Sequence, residues 1–440
     1  MPLIIIGIGI LLLLLLIIGL KCNAFVSLII VSLVVGLLMG MNPAEAVQSV
    51  ESGIGGMLGS LALVLGFGAM IGKLMEDSGA AQRIATTLIE RFGRQNIQWA
   101  GLLTGFIVGV ALFFDTGFIL LIPLVFTIAL QAKLPVLYIG MPVSAALITV
   151  HGLFPPHPGP TAIADIFHAQ VGMILLIGMI VVIPAIIISG IVYPKFFIKQ
   201  TELDVTVPKQ LFNPIVMPEE QLPSFRISVL MALLPVLLMG GRSVLELTVP
   251  HSNVMELFHF LGDPAVALLI TLIIAIYTLG LRRGKTLASI MKSIESSVVS
   301  IAMILLINGG GGAFKQVIIN SGTGDYIAEV MKDVSISPLL LGFVIAAALR
   351  LTLGAATVAG VTASGIVLPL TAASTVHPEL MVLAIGAGSM TFSHVNDPGF
   401  WIFKEYFNLS IGKTIKTWSM MTLISSLVSL GMILILSVFM

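Results

Sequence analysis

The chain has 440 residues, of which 58% are apolar and 10% are charged. Soluble proteins carry about 25% charged residues, so this composition excludes a soluble globular protein and indicates an integral membrane protein. The 21 basic and 21 acidic side chains cancel, which gives no support for a nucleic-acid or acidic partner. The single cysteine, Cys22, excludes a disulfide framework.

The first half contains several apolar runs of about 20 residues, which is enough to cross a bilayer as a helix. These runs are 2–20, 24–41, 54–72 and 172–193, with less regular apolar stretches at 98–130 and 134–170. The run 2–20 has neither a basic flank nor a small-residue cleavage site, so it predicts a retained span rather than a signal peptide. Residues 78–93 are amphipathic and basic, and predict a helix along the inner surface.

The basic residues indicate how the first half crosses the membrane, because Lys and Arg concentrate on the cytoplasmic side. With the N-terminus outside, the basic cluster between 73 and 94 lies inside, and the basic linker 195–226 also belongs there. Three apolar segments separate the two clusters, so one of them makes no net crossing. We predict that 98–130 is a re-entrant hairpin that turns at Asp115-Thr116-Gly117, because each arm spans only about 20–24 Å. A single tilted helix is the alternative.

The second half repeats this plan. Its apolar runs are 227–241, 264–281, 295–314 and 417–440, with less regular stretches at 338–371 and 379–410. We predict a second hairpin at 338–371, turning near 350–357. A shift of about 240 residues aligns "HPG" (157–159) with "DPG" (397–399).

The pattern predicts an all-α integral membrane protein of two inverted repeats, 1–194 and 227–440, joined by the cytoplasmic linker 195–226. Each repeat would make five crossings, with both termini periplasmic. Inverted repeats with discontinuous helices are typical of secondary transporters.

Two proline-containing motifs predict breaks in helices. The segment 134–170 would be far longer than the bilayer as one straight helix, so we predict a broken helix there, with the break at "HGLFPPHPGP" (151–160). "SHVNDPGFW" (393–401) predicts an equivalent break in 379–410. Half-helices that begin after such breaks direct free N–H groups with partial positive charge towards the membrane centre, where a carboxylate is a suitable ligand.

The candidate substrate-binding residues lie at the two hairpin turns and the two breaks. They are Asp115, Thr116, Gly117, His157, Pro158, Gly159, Arg350, Thr352, Gly354, Thr357, Asn396, Asp397 and Gly399. Ionisable groups inside a membrane are costly and usually functional, so Asp115, Asp397 and His157 are also predicted to carry coupling protons. Structural alternatives remain for each: a hydrogen-bonded tip for Asp115, an ion pair for Arg350, a helix cap for Asp397, and a hydrogen-bonded core position for His157.

Other motifs carry weaker interpretations. Thr352 and Thr357 could bond their own helices instead of a substrate. "NGGGG" (308–312) lacks the ending of a phosphate-binding loop and predicts close helix packing, and Trp99 and Trp418 are predicted interface anchors. There is no HExxH pair and no nucleophile elbow, so the sequence does not favour an enzyme. Two opposed hairpins also favour a carrier over a passive channel.

Several of these motifs resemble the gluconate:proton symporter family, within the ion-transporter superfamily of inverted-repeat carriers. The motifs are "LFPPHPGPTAI", "HVNDPGFW", "FFDTGFILLIPLVF", "GFGAMIGKLMEDSGAAQRIA", "GGGGAFKQV" and "LTLGAATVAG". The resemblance runs from about residue 3 to 440 and is strongest to the gluconate and idonate permeases of enteric bacteria.

The resemblance implies uptake of gluconate or a related sugar acid, such as idonate or a ketogluconate, by proton symport across the bacterial inner membrane. It also implies an elevator-type homodimer that needs no metal and no cofactor besides its coupling protons. The first hairpin tip carries Asp115-Thr116 where the family usually has Glu-Val, so the preferred sugar acid stays open. A sodium-coupled carboxylate transporter on the same fold is the alternative, with sodium near Thr116 and Thr352.

Overall fold

The computed structural model describes residues 2–198, 217–248, 255–321, 337–371, 376–395 and 397–440. Over these residues the regular structure is helical. The helices of the first half are α1 (Pro2–Leu14), α2 (Ala24–Leu38), α3 (Pro43–Asp77), α4 (Ala80–Phe92), α5 (Ile97–Ala111), α6 (Phe114–Ala132), α7 (Val136–Leu153), α8 (Pro158–Ile166), α9 (Val171–Ile187) and α10 (Tyr193–Phe197).

The second half contains ten further helices within the described ranges. They are α11 (Phe225–Thr248), α12 (Met255–Leu261), α13 (Pro264–Ala275), α14 (Leu287–Asn320), α15 (Pro338–Leu353), α16 (Ala356–Thr371), α17 (Pro378–Ser389), α18 (Pro398–Tyr406), α19 (Ile411–Thr414) and α20 (Met420–Leu436). A π-helical turn, Ile415–Ser419, joins α19 to α20. Most of the predicted linker, 199–216, lies outside the described residues.

By length and composition, six of the described helices could cross a membrane, or seven if the bent α3 counts as one span. The protein is therefore a multi-pass membrane protein. The predicted surface helix at 78–93 corresponds to α4, which buries one apolar face formed by residues such as Ile84 and Leu88.

The long helices α3 and α14 form the most extensive helix pair. α3 begins with a capping box, in which Asn42 accepts the Glu45 N–H at 2.9 Å and Glu45 accepts the Asn42 N–H at 3.3 Å. The two helices touch at their glycines: a Cβ placed on Gly312 would lie 2.5 Å from the carbonyl oxygen of Gly53. This backbone contact confirms that "NGGGG" serves close packing.

The first hairpin turns one helical turn earlier than the sequence predicts. The helix breaks at Leu112 and Phe113, and Leu112 has an extended backbone. Asp115 instead lies in the first turn of α6, where a negative charge is favoured by the helix dipole. In the second hairpin, α15 ends at Gly354. This residue has a φ of +79°, a backbone conformation that glycine adopts without strain. That turn falls within 350–357.

Both predicted breaks are present. The first separates α7 from α8 over residues 154–157 and contains a cis peptide bond between Pro155 and Pro156. The second separates α17 from α18 over residues 390–397. Each half-helix begins with proline, a residue suited to the first helical position.

The broken helices cross closely, because a Cβ on Gly386 of α17 would lie 2.6 Å from the carbonyl oxygen of Gly152 of α7.

Candidate substrate and coupling site

The hairpins and half-helices bring four helix N-termini together in two pairs. A Cβ on Gly399, at the start of α18, would lie 3.4 Å from the ring of Phe114, at the start of α6. A Cβ on Gly159, at the start of α8, would lie 3.8 Å from Thr357 Cα, at the start of α16. Helix N-termini carry partial positive charge, so each pair provides an environment that favours anions.

Arg350 and Asp397 form a buried ion pair at the N-terminus of α18. The Arg350 side chain is 3% exposed, and its Nη2 donates to Asp397 Oδ2. Its Nη1 donates to the carbonyl oxygen of Gly354, and its buried Nε has no partner among the described residues. Asp397 also caps α18, because Oδ1 accepts the Gly399 N–H at 3.0 Å.

Ser393 and Trp418 hold Asp397 from the other side. The Ser393 hydroxyl donates to Asp397 Oδ2 and accepts the indole N–H of Trp418 at 2.7 Å. The Ser393 N–H donates to Thr422 Oγ1 at 3.0 Å, and its carbonyl oxygen accepts the Ser419 hydroxyl at 2.5 Å. Trp418 is completely buried, so its assignment as an interface anchor is wrong, whereas Trp99 is 44% exposed.

The sequence did not single out Ser393, Ser419 or Thr422. Buried hydroxyl residues recur at helical spacing from the end of the π-helical turn along α20: Ser419, Thr422, Ser425, Ser426 and Ser429. This periodicity is the sequence signal that could have identified the buried hydroxyl-bearing face of α20.

His157 and His151 form a buried pair beside the first hairpin. His157 Nε2 donates to the carbonyl oxygen of Gly109 at 2.7 Å, and the two Nδ1 atoms are 3.2 Å apart. His151 Nδ1 also lies 3.4 Å from the Phe114 N–H.

The protonation state of His157 decides the direction of its hydrogen bond with His151. In a neutral His157 the one ring proton is on Nε2, which donates to Gly109, so His157 Nδ1 is unprotonated and accepts from His151 Nδ1. A doubly protonated His157 donates, and His151 Nδ1 then accepts. His151 is also within electrostatic range of Asp397 and Arg350.

Asp115 has a different environment from Asp397. It is exposed and makes no hydrogen bond or ion pair to any residue that the structure describes. It lies within electrostatic range of Asp397. The neighbouring Thr116 lines a cavity of about 260 Å³ together with Lys73, Glu76 and Ser296. A second cavity of about 500 Å³ lies against Pro155 and Pro156 of the first break.

The remaining predicted residues have mainly structural contacts. Thr352 bonds its own helix through the carbonyl oxygens of Ala348 and Leu349. Gly117 packs closely, since a Cβ there would lie 2.9 Å from Leu147. Pro158 begins α8. Asn396 lies outside the described residues.

Chemically, this arrangement offers one buried guanidinium, two carboxylates and two histidines beside several helix N-termini. It can bind an anion and can take up or release protons. No group of three or more possible His, Cys, Asp or Glu metal ligands occurs within the described ranges.

Comparison with known proteins identifies relatives over the full chain. The profile of the GntP family permeases matches residues 1–439. The high-affinity gluconate transporter of Escherichia coli (strain K12) is 53% identical over 431 residues, covering 98% of both chains. The Gnt-II system L-idonate transporter of the same organism is 52% identical over 437 residues, covering 99% of both. The gluconate permease of Bacillus subtilis (strain 168) is 46% identical over 450 residues, covering 99% of both.

Two solved structures share the fold at low identity. The YdaH transporter of Alcanivorax borkumensis has a TM-score of 0.67 at 16% identity, covering 94% of this chain and 97% of that one. MtrF of Neisseria gonorrhoeae has a TM-score of 0.68 at 15% identity, covering 94% of each chain. These similarities show that the chain shares its helical fold with both structures.

Proposed function

Because the chain belongs to the GntP family of permeases, and is thus a transporter rather than an enzyme, we propose that it takes up gluconate or a related sugar acid by proton symport. Idonate and ketogluconates are the related acids. The relatives that carry gluconate or idonate in their names support this substrate class. The observation that carries the proposal is the buried Arg350–Asp397 pair beside paired helix N-termini.

The sugar-acid carboxylate binds at this pair by competing with Asp397 for Arg350. A guanidinium presents its N–H groups in a planar fork that matches a carboxylate. The buried Arg350 Nε, which has no described partner, and the free N–H groups at the helix N-termini are further donors. The sugar hydroxyls find partners among groups such as Thr116 and Thr357.

Proton coupling follows from the charge balance of the site. With Arg350 positive and both Asp115 and Asp397 ionised, the site carries one net negative charge before an anion enters. Binding a carboxylate adds a second negative charge, and taking up one proton restores the balance. A proton on Asp397 also releases Arg350 for the substrate. Asp115 and His157 are the other groups that carry coupling protons.

The transport cycle uses two inverted repeats in an elevator motion. The similar order of helices, with a hairpin and a broken helix in each half, supports this scheme. In it, the hairpins and half-helices move with the substrate past α3 and α14, within a homodimer in the bacterial inner membrane. Both chain termini are periplasmic.

Counterflow in proteoliposomes tests the substrate. Vesicles preloaded with unlabelled gluconate should transiently accumulate labelled gluconate from outside. Vesicles preloaded with idonate or a ketogluconate instead should do the same. Glucose inside should not substitute, because it lacks the carboxylate that Arg350 binds. Failure of every sugar acid in the panel would refute the proposed function.

A further inference from the structure

We propose that Ser393 and Trp418 are positioning residues, which hold Asp397 ionised against Arg350 and so set the pH range in which transport is coupled to protons. This inference rests on the proposed function and adds residues outside the substrate contacts.

The direction of the hydrogen bonds follows from the chemistry of the groups. An indole N–H can only donate, so the Ser393 hydroxyl accepts from Trp418 at 2.7 Å. Its single proton is then directed to Asp397 Oδ2, with which it is in contact. An ionised carboxylate can only accept, so the chain from Trp418 through Ser393 to Asp397 runs in one direction.

The backbone of Ser393 is fixed as well as its side chain. Its N–H donates to Thr422 and its carbonyl oxygen accepts from Ser419. Trp418 packs between Phe114 and Phe403, with ring centroids 5.2 and 5.1 Å away. The hydroxyl of Ser393 therefore has little freedom to turn away from Asp397.

These contacts give Asp397 three donors of different origin. Gly399 donates to Oδ1, while Arg350 and Ser393 both donate to Oδ2. Hydrogen bonds to the charged form favour that form. Every donor that is removed makes a proton easier to add, and the proton is what separates Asp397 from Arg350.

The groups that face Asp397 from the surrounding helices are Arg350, Asp115 and His151. Among the described residues, none of them forms a hydrogen bond with the Ser393 hydroxyl or the Trp418 indole. A change at Ser393 should thus reach these groups mainly through Asp397, whereas Trp418 also packs against Phe114, whose N–H faces His151.

The test measures initial gluconate uptake from pH 5 to 9 in proteoliposomes for the wild type, Ser393→Ala and Trp418→Phe. Ser393→Ala should displace the pH profile upward by about one pH unit, a roughly tenfold change in proton affinity, because it removes one of the hydrogen bonds that favour the charged carboxylate. Trp418→Phe keeps the aromatic ring but frees the hydroxyl to rotate, so its displacement should be smaller and in the same direction.

Ser426→Ala is the matched control. Ser426 is a buried serine on α20 that bonds Thr391 and the carbonyl oxygen of Ala387 but does not contact Asp397. It should change the rate without moving the profile. If either Ser393→Ala or Trp418→Phe is poorly folded in detergent, the other carries the test.

The outcomes separate the inference from the proposed function. If uptake by the wild type depends on protons but the pH profiles of the folded variants are not shifted, only the inference is overturned. A similar shift in Ser426→Ala overturns it too, because the effect would then be a general loss of packing. A wild type whose uptake ignores the proton gradient refutes both the coupling and the inference.

Discussion

Two acidic residues within the membrane region show how strongly local contacts separate the roles of identical side chains. Asp397 is buried and accepts from three donors, whereas Asp115 is exposed and unpaired among the described residues. The same substitution, aspartate to asparagine, should therefore lower stability strongly at Asp397, whereas at Asp115 it should impair coupling with little loss of stability.

Asp397→Asn should destabilise the fold by about 3 kcal/mol, because it leaves the buried Arg350 charge without a partner. Asparagine still caps α18, so the loss reports the charge rather than the cap. Denaturant unfolding in detergent measures the effect. Glu405→Gln, at an exposed pair with Lys404, is the control and should change stability by less than about 0.5 kcal/mol. Equal stability of the two variants would show that the Arg350–Asp397 pair is unimportant.

Asp115→Asn should leave stability within about 0.5 kcal/mol of the wild type, because the side chain is exposed. It should reduce proton-driven accumulation of gluconate much more than exchange of gluconate across the membrane, since exchange needs no net proton movement. Both rates can be measured on one proteoliposome preparation. An equal loss of both would assign Asp115 to substrate binding instead of coupling.

At the scale of helices, the crossing of α7 and α17 fixes the two breaks relative to each other. Gly386→Ala would bring a methyl group to 2.6 Å from the carbonyl oxygen of Gly152. We expect overpacking of about 1–3 kcal/mol and slower uptake, measured by thermal unfolding and initial rates. Gly431→Ala in α20 is the control, because nothing lies within 4 Å of its added Cβ. Comparable behaviour of both variants would exclude a tight crossing.

The sequence predicted the helix breaks well because proline and glycine are strong local signals. It located the second hairpin turn, where Gly354 ends α15, but placed the first turn one helical turn late because no such residue marks Leu112. It identified Arg350 and Asp397 as separate candidates, and left open whether Arg350 forms an ion pair. Their pairing depends on packing across 47 positions of chain. Trp418 was misassigned because a tryptophan near a basic loop has the same local pattern in the core and at an interface.

For the whole molecule, the family resemblance is confirmed, while the orientation in the membrane stays a prediction. It can be checked by single cysteines in a Cys22→Ser background, reacted with a membrane-impermeant thiol reagent on intact cells. Ala44→Cys, in the first turn of α3, should react from the periplasm. Gln95→Cys and Ala288→Cys should react only after permeabilisation. The reverse pattern would invert the proposed topology.

The central claim is that a proton gradient drives sugar-acid accumulation. The direct measurement is labelled gluconate uptake into sodium-free proteoliposomes with an imposed inward proton gradient, with internal pH recorded in parallel. We predict accumulation above equilibrium together with gluconate-dependent acidification of the interior. Uptake that requires a sodium gradient, or that never exceeds equilibrium, would contradict proton symport.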